Sequence, residues 1–184
     1  MMESGYIVPI GIGLIVIAAI VWYVSTMNLF ARLVVKIRES DSDIGVALTK
    51  RYDTLTKMLE ATKGYAKHEA ERLAEIVKLR KGMSMSERGE ANRQMDELAG
   101  RINVLAESYP DLKASENFKQ LQFSIVEVEE HLQAARRIYN MNVSQFNQLL
   151  VSWPSSVVGS INKHTPKDFF EVEERKREDV HMTF

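Results

Sequence analysis

The chain opens on an apolar run and then settles into helical periodicity. From Ser4 to Ala31 no side chain is charged, and Tyr6 to Val24 is almost continuously apolar, through Leu14, Ile15, Val16 and Ile17. A helix of about 20 apolar residues crosses roughly 30 Å of hydrocarbon with every backbone amide bonded internally, so this stretch predicts a transmembrane helix. Tyr6 at one end, and Trp22 with Tyr23 at the other, stand where amphipathic rings favour the membrane interface. Pro9 falls in the first turn, where a missing N–H is tolerated. A cleaved signal peptide would carry basic residues ahead of the apolar run and a small-residue site behind it. Met1 to Gly5 has no Lys or Arg and no A-x-A follows, so the anchor is expected to be retained.

Beyond the anchor, Leu29, Leu33, Ile37, Ile44, Leu48, Tyr52, Leu55, Leu59, Ala66, Leu73, Ile76 and Leu79 recur at steps of three, four or seven. They predict one long helix, about 78 Å if unbroken from Leu29 to Arg80. Gly45 and Gly64 are its weak points, each costing about 1 kcal/mol relative to Ala. Lys81-Gly82 suits a helix end, and Ser84 with Glu87 a capping-box restart. Ala91, Met95, Leu98, Ile102 and Leu105 form the stripe of a shorter helix that stops at Ser108-Tyr109-Pro110. Asp111 to Ala114 reads as a connection. Ser115 is a candidate N-cap for a third helix, carried by Phe118, Leu121, Ile125, Val128, Leu132, Ala135, Tyr139, Phe146 and Leu149 and ending at Trp153-Pro154.

The predicted fold class is all-α: an N-terminal transmembrane helix followed by an antiparallel bundle of long helices with coiled-coil-like seams. Residues 1–31 form the flank and anchor, 32–154 the bundle, and 155–184 a C-terminal tail with an aromatic-acidic segment.

A 23-residue and a 39-residue helix cannot cover all of a 52-residue one, which leaves the membrane-near stripe of Leu29, Leu33 and Ile37 short of partners. An apolar stripe in water is unfavourable by about 25 cal/mol per Å². The tail carries apolar side chains with no obvious helix partner, Phe169, Phe170 and Val172. These six residues are the candidate oligomer or tail-docking contacts; a homo-oligomer is expected, with burial of the tail in its own protomer as the rival.

Composition then removes several kinds of chemistry. The absence of cysteine excludes disulfides, zinc ribbons, thiol nucleophiles and cysteine lipidation. With 24 Lys and Arg against 25 Asp and Glu, no electrostatic case exists for a nucleic-acid partner. Glu127 with Glu130 or His131 shares a helix face, but the di-iron pattern Glu-x-x-His fails because residue 128 is Val, and His68 fails likewise with Tyr65. Gly159-Ser160 lacks the frame of a nucleophile elbow, and Gly11-Ile12-Gly13 lies inside the apolar run rather than in a phosphate loop. Arg136-Arg137 follow Glu129 and Glu130 by seven residues, as bundle-surface neighbours do, and Arg51 and Asp53 read as inter-helix polar contacts. No catalytic, cofactor-binding or metal-binding residue is assigned, and no cofactor.

Several blocks together resemble the LemA family: Ser42-Asp43-Ile44, Lys50-Arg51-Tyr52-Asp53, Glu60, and Lys63-Gly64-Tyr65-Ala66-Lys67-His68-Glu69. Further on come Tyr109-Pro110-Asp111-Leu112-Lys113-Ala114, Glu116-Asn117-Phe118, Leu121-Gln122, Ala134-Ala135-Arg136-Arg137, Tyr139-Asn140, Trp153-Pro154 and Phe169-Phe170-Glu171. The resemblance implies a bacterial protein with a single N-terminal membrane helix and a bundle of long antiparallel helices, without an established catalytic centre. One branch of the family is connected with building magnetosome membranes. The chain departs from the usual pattern at Thr56-Lys57, where many members have Pro-Asn, and at Gly45, where an acid is common.

Arg32, Lys36, Arg38, Lys50 and Arg51 follow the apolar run closely and no basic residue precedes it, which predicts an outside N-terminus and a cytoplasmic bundle at the inner membrane. The expected function is that of a non-enzymatic, self-assembling scaffold whose partners are the lipid bilayer and further copies of itself. The alternative is a regulatory adaptor for another membrane protein such as a protease; a hydrolase without recognisable motifs is a third.

Overall fold

The computed structural model describes residues 4–73 and 82–170, with side chains from residue 9 onward. Every regular element among the described residues is a helix: α1 (Ser4–Lys63), α2 (Lys67–Leu73), α3 (Met85–Ser108), α4 (Pro110–Ala114), α5 (Glu116–Val151) and α6 (Ser155–Ile161). One long apolar N-terminal helix followed by further helices is the predicted all-α class.

Helix α1 passes without interruption from the apolar run into the periodic stripe, and its start at Ser4 places Pro9 inside the helix rather than in its first turn. It crosses Gly45, where an added Cβ would meet nothing nearer than Arg88 Nη1 at 4.0 Å. It also crosses Thr56-Lys57, whose threonine hydroxyl donates to the Tyr52 carbonyl at 2.9 Å. The helix ends at Lys63, not near Arg80. The amides of Tyr65 and Ala66 both donate to the Thr62 carbonyl, at 3.0 and 2.9 Å, which tightens the chain around Gly64, the residue of lowest helix propensity there. Ile76 and Leu79 lie outside the described residues.

The capping signals are realised. Ser84 Oγ accepts from the Glu87 amide at 3.2 Å, while the Glu87 carboxylate accepts from the Ser84 amide at 2.7 Å. Ser115 Oγ accepts from the Phe118 amide at 3.3 Å and donates to the Leu112 carbonyl at 2.9 Å. Pro110 ends α3 but also begins the five-residue α4, where a plain connection was predicted. Proline suits the first position of a helix because its missing N–H has no partner there anyway. After α5 the Trp153-Pro154 bond is cis, and α6 follows in the stretch assigned to the tail.

The chain forms two compact units. The first comprises Met1–Glu39 and Met141–Lys167. Within it α1 and α5 run antiparallel: Asn142 Nδ2 donates to the Lys36 carbonyl at 3.3 Å, and Phe30 meets Phe146 edge-on, 5.6 Å between centroids. The His164 ring lies 4.9 Å from Phe30 and 5.6 Å from Phe146, closing a core that also holds Val143 and Val158. Leu33 and Ile37 are 4% and 8% exposed, so they do not lack partners as the helix lengths implied. Asn142 and Phe146 of α5 lie against this stretch of α1, and Gly159 of α6 packs on Phe30 beside it. Leu29 stays 44% exposed.

The second unit comprises Ser40–Asn140 and Asp168–Phe184. Its core joins Ile44, Leu48, Leu55 and Met58 of α1 with Met95 and Ile102 of α3, Leu112 of α4, and Phe118 and Leu132 of α5. Arg88 meets Asp41 while Asn92 and Asp96 meet Arg51, so α3 runs parallel to α1; Glu129 meets Arg51 while Tyr139 feels the Asp41 charge, so α5 runs antiparallel.

Candidate functional site

The densest polar cluster lies in the second unit, around Arg51. Its residue is 4% exposed, and a buried guanidinium is costly unless its donors are matched. Nη1 donates to Asn92 Oδ1 and, at 3.3 Å, to the Asn92 carbonyl; Nη2 donates to Asp96 Oδ1 at 2.5 Å. Nη2 also lies 2.8 Å from Glu129 Oε2, an ionic contact not aligned as a hydrogen bond, and Arg51 Nε has no hydrogen-bond partner. One side chain thus ties α1 to α3 and α5, as the fork of a planar guanidinium can and a single ammonium cannot.

Arg136 completes the charge balance of this cluster. Burial lowers its pKa, the carboxylates of Glu129 and Asp96 act the other way, and the Arg51 charge adds to the lowering. Its guanidinium carbon sits 4.6 Å from the centroid of Phe170, a cation–π contact that shields the ring. Two arginines and two carboxylates therefore neutralise one another. The arrangement is a joint between helices, with Arg51 of α1 held by Asn92 and Asp96 of α3 and by Glu129 of α5. Arg51 is an inter-helix contact as predicted, whereas Asp53 is exposed and lines a separate groove.

The last described residues are held by backbone contacts. In the second unit Asn140 Nδ2 donates to the Phe170 carbonyl at 2.9 Å and Asn140 Oδ1 accepts from the Phe170 amide at 2.8 Å. Tyr139 Oη donates to the Asp168 carbonyl at 3.0 Å. The Tyr139 pKa is raised by burial first and then by the carboxylates of Asp41 and Asp168, with Arg88 opposing. In the first unit Asn147 grips Lys167 in the same reciprocal way, with both distances 2.9 Å. The blocks Tyr139-Asn140 and Phe169-Phe170, far apart in sequence, thus meet in space.

Of the predicted docking residues, Leu33, Ile37 and Phe170 are buried within the chain, Leu29 and Phe169 are exposed, and Val172 lies outside the described residues. Of the predicted interface aromatics, Trp22 is exposed and Tyr23 half-buried, its hydroxyl 3.5 Å from Asn162 Nδ2; the Tyr6 side chain lies outside the description. The second unit also carries an open groove of about 560 Å³ between α1 and α5, lined by Val46, Lys50, Asp53, Glu127, His131 and Ile138 among others. Glu127 and His131 stand on its wall, and among the described residues no three His, Asp or Glu side chains converge on a common point.

Four similarities set this chain among known proteins. The profile of the LemA family matches residues 40–184. Protein LemA of Metamycoplasma hominis is 30% identical over 164 residues, covering 86% of this chain and 74% of that relative. Magnetosome protein MamQ 2 of Paramagnetospirillum magneticum is 26% identical over 72 residues, and Magnetosome protein MamQ of Magnetospirillum gryphiswaldense 22% over 71. Each of these two matches covers 39% of this chain and 26% of the relative.

Proposed function

We propose that this chain, which belongs to the LemA family, is a single-pass membrane protein whose helical bundle serves as a self-assembling scaffold rather than as an enzyme. Among the described residues one helix is long and apolar enough to cross a membrane, and the large side chains of its apolar stretch are not buried: Ile15 is 70% exposed. Hydrocarbon is the environment that suits such a surface. The basic residues Arg32, Lys36 and Arg38 just beyond it favour a cytoplasmic bundle at the inner membrane. The naming of distant relatives as magnetosome proteins supports a membrane setting.

The observation that carries the scaffold reading is the outer face of α5 in the second unit. Phe123 is 77% exposed and Val126, one turn on, 58% exposed. Large apolar side chains at helical spacing favour a protein partner, and a second copy of the same seam matches them. The interior charges, meanwhile, are spent on the Arg51 joint.

Cysteine chemistry tests this cleanly because the native chain has none. Full-length protein carrying Phe123→Cys, oxidised in its own membranes, is expected to form a disulfide-linked dimer, and Val104→Cys on α3 is expected to form far less. Equal, marginal crosslinking at both positions would refute self-assembly through α5. A stoichiometric unrelated protein crosslinked at position 123 would replace the scaffold by an adaptor.

A further inference from the structure

In the first unit, where α5 turns into α6, lies an apolar surface that the described residues leave uncovered. Val151 is 80% exposed, Trp153 85%, Val157 49% and Ile161 60%. The opposite side of α6 is fixed firmly. Val158 and Gly159 are buried, and a Cβ added at Gly159 would stand 2.8 Å from Leu150 Cδ2 and 3.4 Å from Phe30 Cζ. The exposed face is therefore rigidly displayed.

Its height along α1 is given by contacts inside the same unit. Asn162, at the end of α6, reaches the hydroxyl of Tyr23, and Gly159 packs on Phe30. Tyr23 closes the apolar run, where the proposed span meets the headgroups. Charge points the same way. No Asp or Glu occurs between Met141 and Lys167, whereas Lys163 and Lys167 are exposed there and Arg32, Lys36 and Arg38 lie beyond Tyr23 on α1. A second copy of so basic a surface would repel this one. An anionic leaflet would attract it, and an indole ring favours the headgroup layer.

We infer that α6 and Trp153 form a collar that lies in the headgroup region of an anionic leaflet, so that the chain meets the bilayer at a second site besides its spanning helix. This inference rests on the membrane reading above, and the two tryptophans separate their fates. In Trp22→Phe the emission comes from Trp153 alone; in Trp153→Phe it comes from Trp22. Both full-length variants are reconstituted into vesicles of phosphatidylcholine, with or without phosphatidylglycerol, containing lipid brominated near the headgroup.

Trp153 is expected to lose about half of its emission or more in the anionic vesicles and to be shielded there from aqueous iodide. Lys163→Glu with Lys167→Glu is expected to weaken that quenching about twofold, at unchanged helical circular dichroism. Trp153 open to iodide and untouched by bromolipid, beside a quenched Trp22, overturns the collar and leaves the anchor standing. An unquenched Trp22 overturns the anchor itself. Trp153 shielded from both quenchers assigns the surface to a protein contact and overturns the inference, and equal quenching in neutral vesicles overturns its anionic part.

Discussion

Asn140 and Phe170 exchange two hydrogen bonds, the side-chain amide serving both backbone groups of a residue that belongs to no helix. A neighbouring strand would satisfy an extended residue in this way; here one amide on α5 does so. The pair fixes the Phe170 ring in a site where it is 1% exposed, beneath the Arg136 guanidinium. Asn140→Ala removes both bonds and is expected to cost about 1–2 kcal/mol, read as a lower urea midpoint with faster amide exchange at Phe170. Unchanged exchange would show that the ring alone holds the segment.

Arg51 ties three helices of the second unit together through one side chain. Arg51→Ala removes the direct partner of Asp96 and Glu129 and leaves them only the nearby Arg136 charge; because both are partly exposed the cost is about 2–3 kcal/mol, below that of a fully buried pair. Arg51→Lys keeps the charge but loses the fork, so its unfolding midpoint is expected between those of wild type and the alanine variant. A lysine variant as stable as wild type would contradict the three-helix joint.

Two glycines are expected to respond in opposite directions. Gly82 has φ +80°, so Gly82→Ala is expected to destabilise by about 1 kcal/mol. Gly64 lacks a positive φ, and nothing lies within 4 Å of an added Cβ, so Gly64→Ala is expected to gain as much as about 1 kcal/mol by restricting the unfolded chain. Thermal melts of the two variants check both signs.

Tyr139 makes stability fall at alkaline pH. Its folded pKa is raised, while the unfolded phenol ionises near pH 10. The stabilisation from the neutral phenol is thus fully present below about pH 10 and is lost as pH rises through the folded value. Tyr139→Phe loses the bond to the Asp168 carbonyl, about 1 kcal/mol at neutral pH, but does not titrate. The stability gap between wild type and variant is expected to narrow above about pH 10; a constant gap in urea unfolding would contradict the raised pKa.

The long helices were legible because apolar spacing and caps agree: Ser84 with Glu87, Ser115 and Pro110 all act where the sequence places them. The end of α1 was not, since Gly64 and Gly82 offer competing stops and propensity alone does not choose between them. Helices α4 and α6, of five and seven residues, are too short to show a period. The grip of Asn140 and Asn147 on the returning segment escapes hydrophobic patterning because it runs through side-chain amides and main chain. For Arg51 the sequence identifies an inter-helix charge, but only the register of α3 and α5 selects Asn92, Asp96 and Glu129.

A membrane-rooted scaffold must exist as more than one copy in its lipids. The particle mass of the full-length protein, extracted with native lipid into nanodiscs, tests this most directly. A mass of several chains, reduced to one by Phe123→Glu with Val126→Glu, is the predicted result. A wild-type particle holding a single chain at every concentration would contradict it.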